Sequence, residues 1–450
     1  MTTSKLLCIA VVVAFVLAAA RVAGWAAAFV GAYLLTLSGI TTTVYRGATT
    51  VVHYGIASGS PSITLADIVL VGALIAIWIQ GGRIQVRWLL VLFGLPAIAM
   101  LLTEWGNTPE QWSGFQLYMT ALVSFGVGRW VSENLDENSE FVLAAASLAA
   151  CTMQLIVTAA QSRGVMLIAA QGPNVKYWID SDRMVGLYSH PSVLGKTVFL
   201  LLCLLLPLSA SPNSAIRRMA YASMILGSIA TLLTLSRANT IAIVIAIALW
   251  ALLGNRAKAA AHKFGVVAAA AVTIILTTNL FDKFELRQLR DPEGGARKYL
   301  LTSGLEQIER APFVGTGPNY YSEFVGRYDH LVATGFPLHN SFLFIVAELG
   351  IPLAIALLIP VVMAFTQAVK PHADSRFLTV RSAAYWSTLP GVFIIGATGW
   401  GMAAKETLPL WFFVTGFLAA RAAATKSKDS MGEQRDITVR TSPTRVTNPT

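Results

Sequence analysis

Phe336-Pro337-Leu338-His339-Asn340 closes a long polar stretch, roughly Asp282 to Leu338, and opens an apolar run that continues to about residue 365. A membrane-crossing helix needs roughly 20 apolar residues, with about 17 to 25 tolerated. Outward from that junction, such runs are predicted near 4–20, 22–40, 63–79, 87–102, 115–131, 141–160, 192–209, 217–235, 239–253, 264–281, 340–365, 382–400 and 407–422. The first two are ambiguous, because Arg21 divides one apolar stretch of about 35 residues. As a single helix it would be on the order of 50 Å long, too long for one crossing of an approximately 30 Å hydrocarbon core. The expectation is an all-α, polytopic membrane helical bundle of about 12 transmembrane helices, 12 or 13 by this count. One long extracytoplasmic loop, 282–338, contains short helices. Residues 1–424 form this integral membrane domain. Residues 425–450, poor in apolar side chains, read as a disordered cytoplasmic tail.

Composition agrees. The chain is 55% hydrophobic and 12% charged, with a mean hydropathy of +0.63, so the solvent for most of it is lipid. The net charge of +10 reads as basic residues that fix membrane orientation, and nucleic acid is not an expected partner. Cys8, Cys151 and Cys203 all fall in apolar runs and read as small hydrophobes, with no disulfide framework or metal site. The amino terminus imitates a secretory signal, with Lys5, an apolar core and small residues at Ala18 to Ala20. The later spans favour an uncleaved first helix.

Loop charge sets sidedness. Gly82 to Arg87, Arg217-Arg218, Gly254 to Lys263 and Lys370 to Arg381 are basic, and counting spans puts all four on one face. The positive-inside rule makes that face cytoplasmic. The opposite face then receives Thr103 to Gly114, Gln161 to Pro191, the turn at Ser236-Arg237 and the long loop.

The polar residues able to do chemistry share that outer face. Leu301, Leu305 and Ile308 recur at helical spacing between Arg297 and Arg310, and Pro312 closes the run. This helix lies on the bilayer surface, either as interfacial packing whose arginine meets headgroups or with Arg297 presented to a ligand. His339 precedes a span that Asn340 is placed to cap. Its imidazole is a general base or an interfacial histidine satisfied by a loop carbonyl. Glu348 follows nine residues later, which on a continuous helix is about 13 Å deeper and on nearly the opposite face. As an intramembrane carboxylate it should face a partner or a cavity. Arg237, in Leu235-Ser236-Arg237-Ala238-Asn239, either snorkels to the surface or holds an anion in the bundle. Arg183 precedes Gly186-Leu187-Tyr188-Ser189-His190-Pro191 on another outward loop. Several converging guanidinium groups would suit a pyrophosphate. Asp180-Ser181-Asp182 is a weak candidate for a divalent metal, since Arg183 beside it can neutralise it. Phosphate-binding P-loop, HExxH and Gly-x-Ser-x-Gly signatures are missing from the sequence, and no cofactor is expected.

Gly295-Ala296-Arg297, the helix after it, Ala311-Pro312-Phe313-Val314-Gly315-Thr316-Gly317-Pro318, His339-Asn340 and Glu348-Leu349-Gly350-Ile351 together resemble the O-antigen ligase and polymerase superfamily. Ser236-Arg237 and the Arg183 to Gly195 stretch match two further signatures of that family in the expected order, so the motif-bearing resemblance covers roughly residues 180 to 365. It implies a multi-pass glycosyltransferase of the bacterial cytoplasmic (inner) membrane, part of surface polysaccharide biosynthesis. The donor would be a glycan on an undecaprenyl-type polyprenyl-pyrophosphate carrier, and the acceptor a hydroxyl of a glycan or lipid-glycan. By the same resemblance His339 is the base, while Arg237, Arg297 and, less securely, Arg183 meet the pyrophosphate. Asn340, Glu348, Gly315 and Gly317 support them, and no metal is needed. Displacement would invert the anomeric carbon. The rival class is a transporter or flippase for a lipid-linked glycan. Against it, no internal repeat pairs the two halves, and the charges gather at one face rather than at the midplane.

Overall fold

The computed structural model describes residues 3–40, 42–46, 57, 59–167, 175–253, 297–334, 337–369 and 376–419. The span expected at 264–281, the basic loop 254–263, the first part of the polar loop and the tail 425–450 lie outside the described residues. Helices α1 to α5 are Thr3–Leu37, Leu65–Ile79, Arg87–Thr103, Pro109–Glu133 and Glu137–Gln161. Next come α6 Val175–Asp180, α7 Pro191–Leu208, α8 Ser214–Leu232 and α9 Arg237–Leu253. The polar loop contributes α10 Arg297–Arg310, α11 Tyr321–Val325 and α12 His330–Ala333. Helices α13 Ser341–Val369, α14 Arg376–Thr398 and α15 Leu408–Ala419 follow. The architecture is an all-α bundle with one exception. Strands β1 Thr43–Arg46 and β2 Ser62–Thr64 pair antiparallel between α1 and α2, where β-branched and aromatic residues cluster.

By length and composition, Leu6–Leu37, Glu137–Gln161, Pro191–Leu208 and Ser341–Val369 can each cross a membrane. Leu65–Ile79, Arg87–Thr103, Arg237–Leu253 and Leu408–Ala419 are apolar but shorter. The 15 residues of α2 make only about 22 Å of helix, less than a full hydrocarbon core. The protein is therefore a helical membrane protein. Among the described residues these are four long and four shorter apolar helices, which do not by themselves confirm the expected count of about 12 crossings.

Two of the longest helices are broken by glycine. Gly24 interrupts α1 with φ 78° and ψ 170°. A Cβ on Gly31 would stand 2.9 Å from Cε1 of Phe15, although 16 residues of continuous helix would separate the two by about 24 Å. The halves of α1 therefore fold back on each other as a hairpin, with Arg21 beside its turn. This resolves the ambiguous first apolar stretch into two arms.

Gly350 breaks α13 in the same way, with φ 70° and ψ 165°. The expected continuous span from His339 is thus two pieces, a short helix up to the break and a longer one that starts at Ile351. The break follows Glu348, so the helical rise of about 13 Å from His339 to Glu348 stands. The loop residue Asn319 reaches that carboxylate, donating its backbone N–H at 2.9 Å.

Hydrogen bonds divide the connections into two sets. On one face Tyr188 Oη donates to Leu37 O at 3.1 Å, Gln154 Nε2 to Ser38 O at 2.7 Å, and Trp105 Nε1 to Val314 O at 2.8 Å. Ala57 N donates to Asn319 Oδ1 at 2.8 Å, which brings the β1–β2 connection to the polar loop. On the other face Ser211 Oγ donates to Glu140 Oε2 at 2.7 Å and Arg381 Nη2 to Ser132 O at 2.7 Å. Between the faces α4 and α15 pack through glycine. A Cβ on Gly128 would sit 2.0 Å from Phe413 O, and one on Gly416 would sit 2.1 Å from Phe125 O. Such small-residue contacts let membrane helices approach closely.

Two predictions follow from this arrangement. A cysteine at exposed Thr302 should react with a membrane-impermeant maleimide added outside intact cells, and one at exposed Ser214 only after the cytoplasmic side is opened; the reverse pattern would invert the assigned sidedness. Gly315→Ala should lower stability by more than ~2 kcal/mol, because φ is +69° and the new methyl would meet Glu348 O at 2.4 Å. Gly81→Ala, at φ +73° with nothing within 4 Å, should cost only the backbone part, about 1 to 2 kcal/mol. Thermal unfolding in detergent compares the two.

Candidate functional site

The polar loop is seated on the break in α13. Thr316 N donates to Ala347 O at 3.0 Å, Gly317 N to Glu348 O at 2.8 Å and Ile351 N to Pro312 O at 2.8 Å. Gly315, Gly317 and Asn319 take positive φ values of 69°, 92° and 58°. At Gly315 a side chain would collide with the backbone of Glu348 and Gly350, and at Gly317 with Gln111 and Trp105. Both glycines are therefore required for close approach as well as for φ. Fully buried Glu348 accepts Tyr118 Oη at 2.8 Å and Asn319 N at 2.9 Å through one oxygen. Its carboxylate thus clamps α4 and the loop to α13.

Helix α10 rests on this seat by a face unlike the one its leucines mark. Leu300, Ser303, Gly304 and Gln307 are buried, and Leu338 covers Gly304. Leu301 and Leu305 are exposed on another side, free to enter a bilayer surface. Arg297 stands exposed at the amino end. Arg310, at the far end, stacks 4.4 Å above the Tyr328 ring and pairs with Glu306 at 3.8 Å.

His339 is half-buried at the mouth of α13, and Asn340 caps that helix: its Oδ1 accepts Phe342 N and Leu343 N, each at 3.1 Å. His339 Nδ1 lies 2.8 Å from Pro337 O. A carbonyl can only accept, so Nδ1 carries the proton and Nε2 keeps its lone pair. Burial pushes the imidazole below its ordinary pKa. The bond to Pro337 opposes this, and the Arg297 and Lys196 cations reinforce it. The resting ring is neutral at physiological pH, the state a general base needs.

The Arg183 and Arg237 segments are packed together. Met184 N donates to Leu233 O at 3.1 Å, just before the Ser236-Arg237 turn. Arg183 lies 4.6 Å over the Trp178 ring, which also meets His190 at 4.7 Å and Tyr177 at 4.9 Å. Asn239 Nδ2 donates to Ser236 Oγ at 2.9 Å and to Ser192 O at 3.0 Å, joining the start of α9 to the start of α7. Arg237 is half-exposed at that junction. Asp180 pairs with Lys176 at 2.8 Å, both on the surface. Among the described residues no three His, Cys, Asp or Glu side chains gather as a metal-ligand group.

One residue of this region escaped the sequence reading. Lys196 is only 4% exposed, one turn inside α7, and donates to Ser192 Oγ. It interacts electrostatically with Arg297 and His339. A lone lysine within an apolar helix was the signal available, since such residues mark functional positions in membranes. Among the described residues no carboxylate pairs with Arg237, Arg297 or Lys196. His339 thus lies within the electrostatic reach of Arg297 and Lys196.

Residues 222–358 match the family model described as O-antigen ligase. The matched segment contains Arg237, Arg297, Gly315, Gly317, His339, Asn340 and Glu348, whereas Arg183 and Lys196 precede it. No curated protein matches the chain. Through this segment the chain is similar to the O-antigen ligases, which supports its membership of the O-antigen ligase and polymerase superfamily and a role as a membrane glycan-processing enzyme.

Proposed function

We propose that the protein transfers a glycan from a polyprenyl-pyrophosphate carrier to an acceptor hydroxyl at the outer face of a bacterial cytoplasmic membrane, without a metal. The observation that carries this reading is His339, whose Nδ1 is engaged by Pro337 O while Nε2 makes no hydrogen bond among the described residues, and on whose ring the Arg297 charge acts. In the proposed step Nε2 takes the acceptor's hydroxyl proton and the acceptor oxygen attacks the anomeric carbon. The bond from that carbon to the pyrophosphate oxygen breaks, its electron pair leaves with the carrier, and the configuration inverts. Negative charge then grows on the leaving group, where Arg237 and Arg297, with Arg183 nearby, supply fixed positive charge. Preorganised charge of this kind needs little rearrangement during reaction. The glycosyl-pyrophosphate bond already stores the driving force, so no nucleotide is required.

The test is transfer by the purified full chain, with a lipid-pyrophosphate glycan and an acceptor, chelator present throughout. His339→Ala should lose about 10²- to 10⁴-fold in rate while remaining folded. Arg297→Ala and Arg237→Ala should also fail, and lysine should replace either poorly, because a point charge does not reproduce a bidentate fork. Arg310→Ala should transfer normally. Near-normal transfer by His339→Ala at matched expression would remove histidine from the mechanism.

The pH dependence has a fixed sign. The base works deprotonated, and its proton affinity in the free enzyme is lowered by burial and by Arg297 and Lys196. kcat/KM should therefore fall on acidification with a midpoint below the ordinary imidazole value of 6.5. A midpoint above that value would contradict the neutral resting state.

A further inference from the structure

Lys196 poses a question that the family match leaves open. Its ammonium is buried one turn inside α7, and its one hydrogen bond among the described residues goes to the neutral Ser192 hydroxyl. A hydroxyl does not neutralise a cation. An apolar residue of similar length would pack at this position without the desolvation penalty of a charge. Snorkelling would explain a lysine near a helix end if its head reached water, but here the residue is almost completely covered.

The surroundings point to a ligand. The backbone after α14 closes over the ammonium: a Cβ on Gly401 would stand 2.8 Å from Nζ, and one on Gly399 3.4 Å. Ser341, two residues beyond His339, holds that same backbone. Its Oγ donates to Gly399 O and accepts Met402 N at 3.2 Å. Thr407 Oγ1 donates to Gly401 O and fixes the rest of the turn. Lys196 is thus joined to the base through two successive contacts, and its charge acts on both Arg297 and His339. An ammonium has three N–H donors, and Ser192 uses one.

We infer that Lys196 is a further binding residue of the transfer site, whose ammonium reaches a phosphate of the leaving group through the donors Ser192 does not use. This inference rests on the reaction proposed above. The glycines at 399 and 401 leave the ammonium room that side chains there would fill. Arg297 on the loop and Lys196 on α7 would then hold the same anion from two elements.

Binding of farnesyl pyrophosphate to the full chain in detergent tests this, with phosphatidylglycerol titrated in a parallel arm. The wild-type protein should bind the pyrophosphate, and Lys196→Met should weaken binding about 10- to 100-fold, the usual effect of losing one charge-assisted hydrogen bond. Lys196→Arg should retain part of the affinity. Thermal unfolding supplies the second readout. Lys196→Met should melt no lower than wild type, because it replaces a polar head whose burial is costly with an apolar one of similar length. Wild-type affinity in Lys196→Met, with Arg297→Ala weakened, would overturn the role of Lys196 and leave the transfer reaction standing. No binding by the wild-type protein would overturn both. Lysine-dependent binding of phosphatidylglycerol but not of the pyrophosphate would assign the ammonium to a lipid headgroup instead. A lower melting point for Lys196→Met and Lys196→Gln alike, with unchanged binding per folded molecule, would make the lysine structural.

Discussion

The Glu348 carboxylate holds the site together. A single buried oxygen accepts the phenol of Tyr118 on α4 and the backbone N–H of Asn319 in the polar loop. Charge-assisted hydrogen bonds are among the stronger ones available to a protein, and stronger still away from water. Around this clamp the Gly315–Gly317 turn lies flat on the break in α13, near enough that any side chain at Gly315 would overlap backbone. The loop is thus fixed at the membrane helices by main-chain contacts. His339 and Arg297 inherit their positions from that anchorage, one at the start of α13 and the other on the helix α10 that rests against Leu338.

The break at Gly350 follows from the same constraint. The helix before the break ends against the polar loop, where Thr316 N and Gly317 N bond to Ala347 O and Glu348 O. Left-handed geometry at Gly350 then turns the chain so that Ile351 N bonds back to Pro312 O. The short helix before the break then carries Asn340 and Ser341 towards the Gly399–Met402 turn, where Lys196 lies. Two glycine breaks, at 24 and 350, thus shape what hydropathy alone reads as simple apolar runs.

Much of this was legible from residue patterns, for physical reasons. Helix 297–310 announced itself by leucine periodicity and the closing Pro312, and Asn340 by its position before an apolar run. Both are local signals, and both appear as expected. The division of the first apolar stretch was legible from its length and Arg21, but the turn at Gly24 and the break in α13 were not, because a glycine inside an apolar run looks alike whether helical or left-handed. The face by which α10 packs on protein was not legible for a related reason. Leu301 and Leu305 mark the face free to meet lipid, while small and polar Ser303, Gly304 and Gln307 pack against protein. In a membrane protein the apolar side of a helix need not be its packing side. Lys196 carries no loop signature of the kind that marks the arginines, although a lone cation in an apolar helix is the less ordinary feature.

The electrostatics of the site have a consequence for the proposed reaction. Burial, Arg297 and Lys196 all oppose a proton on His339, so the empty site keeps the imidazole neutral and ready. A pyrophosphate held by Arg297 and Lys196 would bring compensating negative charge to the same place. Two of the forces that keep the proton off would then weaken when the donor binds, and further as charge builds on the leaving group. The proton affinity of Nε2 therefore rises along the reaction, while the Pro337 carbonyl keeps the ring oriented and steadies the imidazolium that forms. A neutral or acidic binding site would lack this coupling. On this account the absence of a carboxylate partner for the cations, among the described residues, is what lets one set of charges both bind the leaving group and time the base.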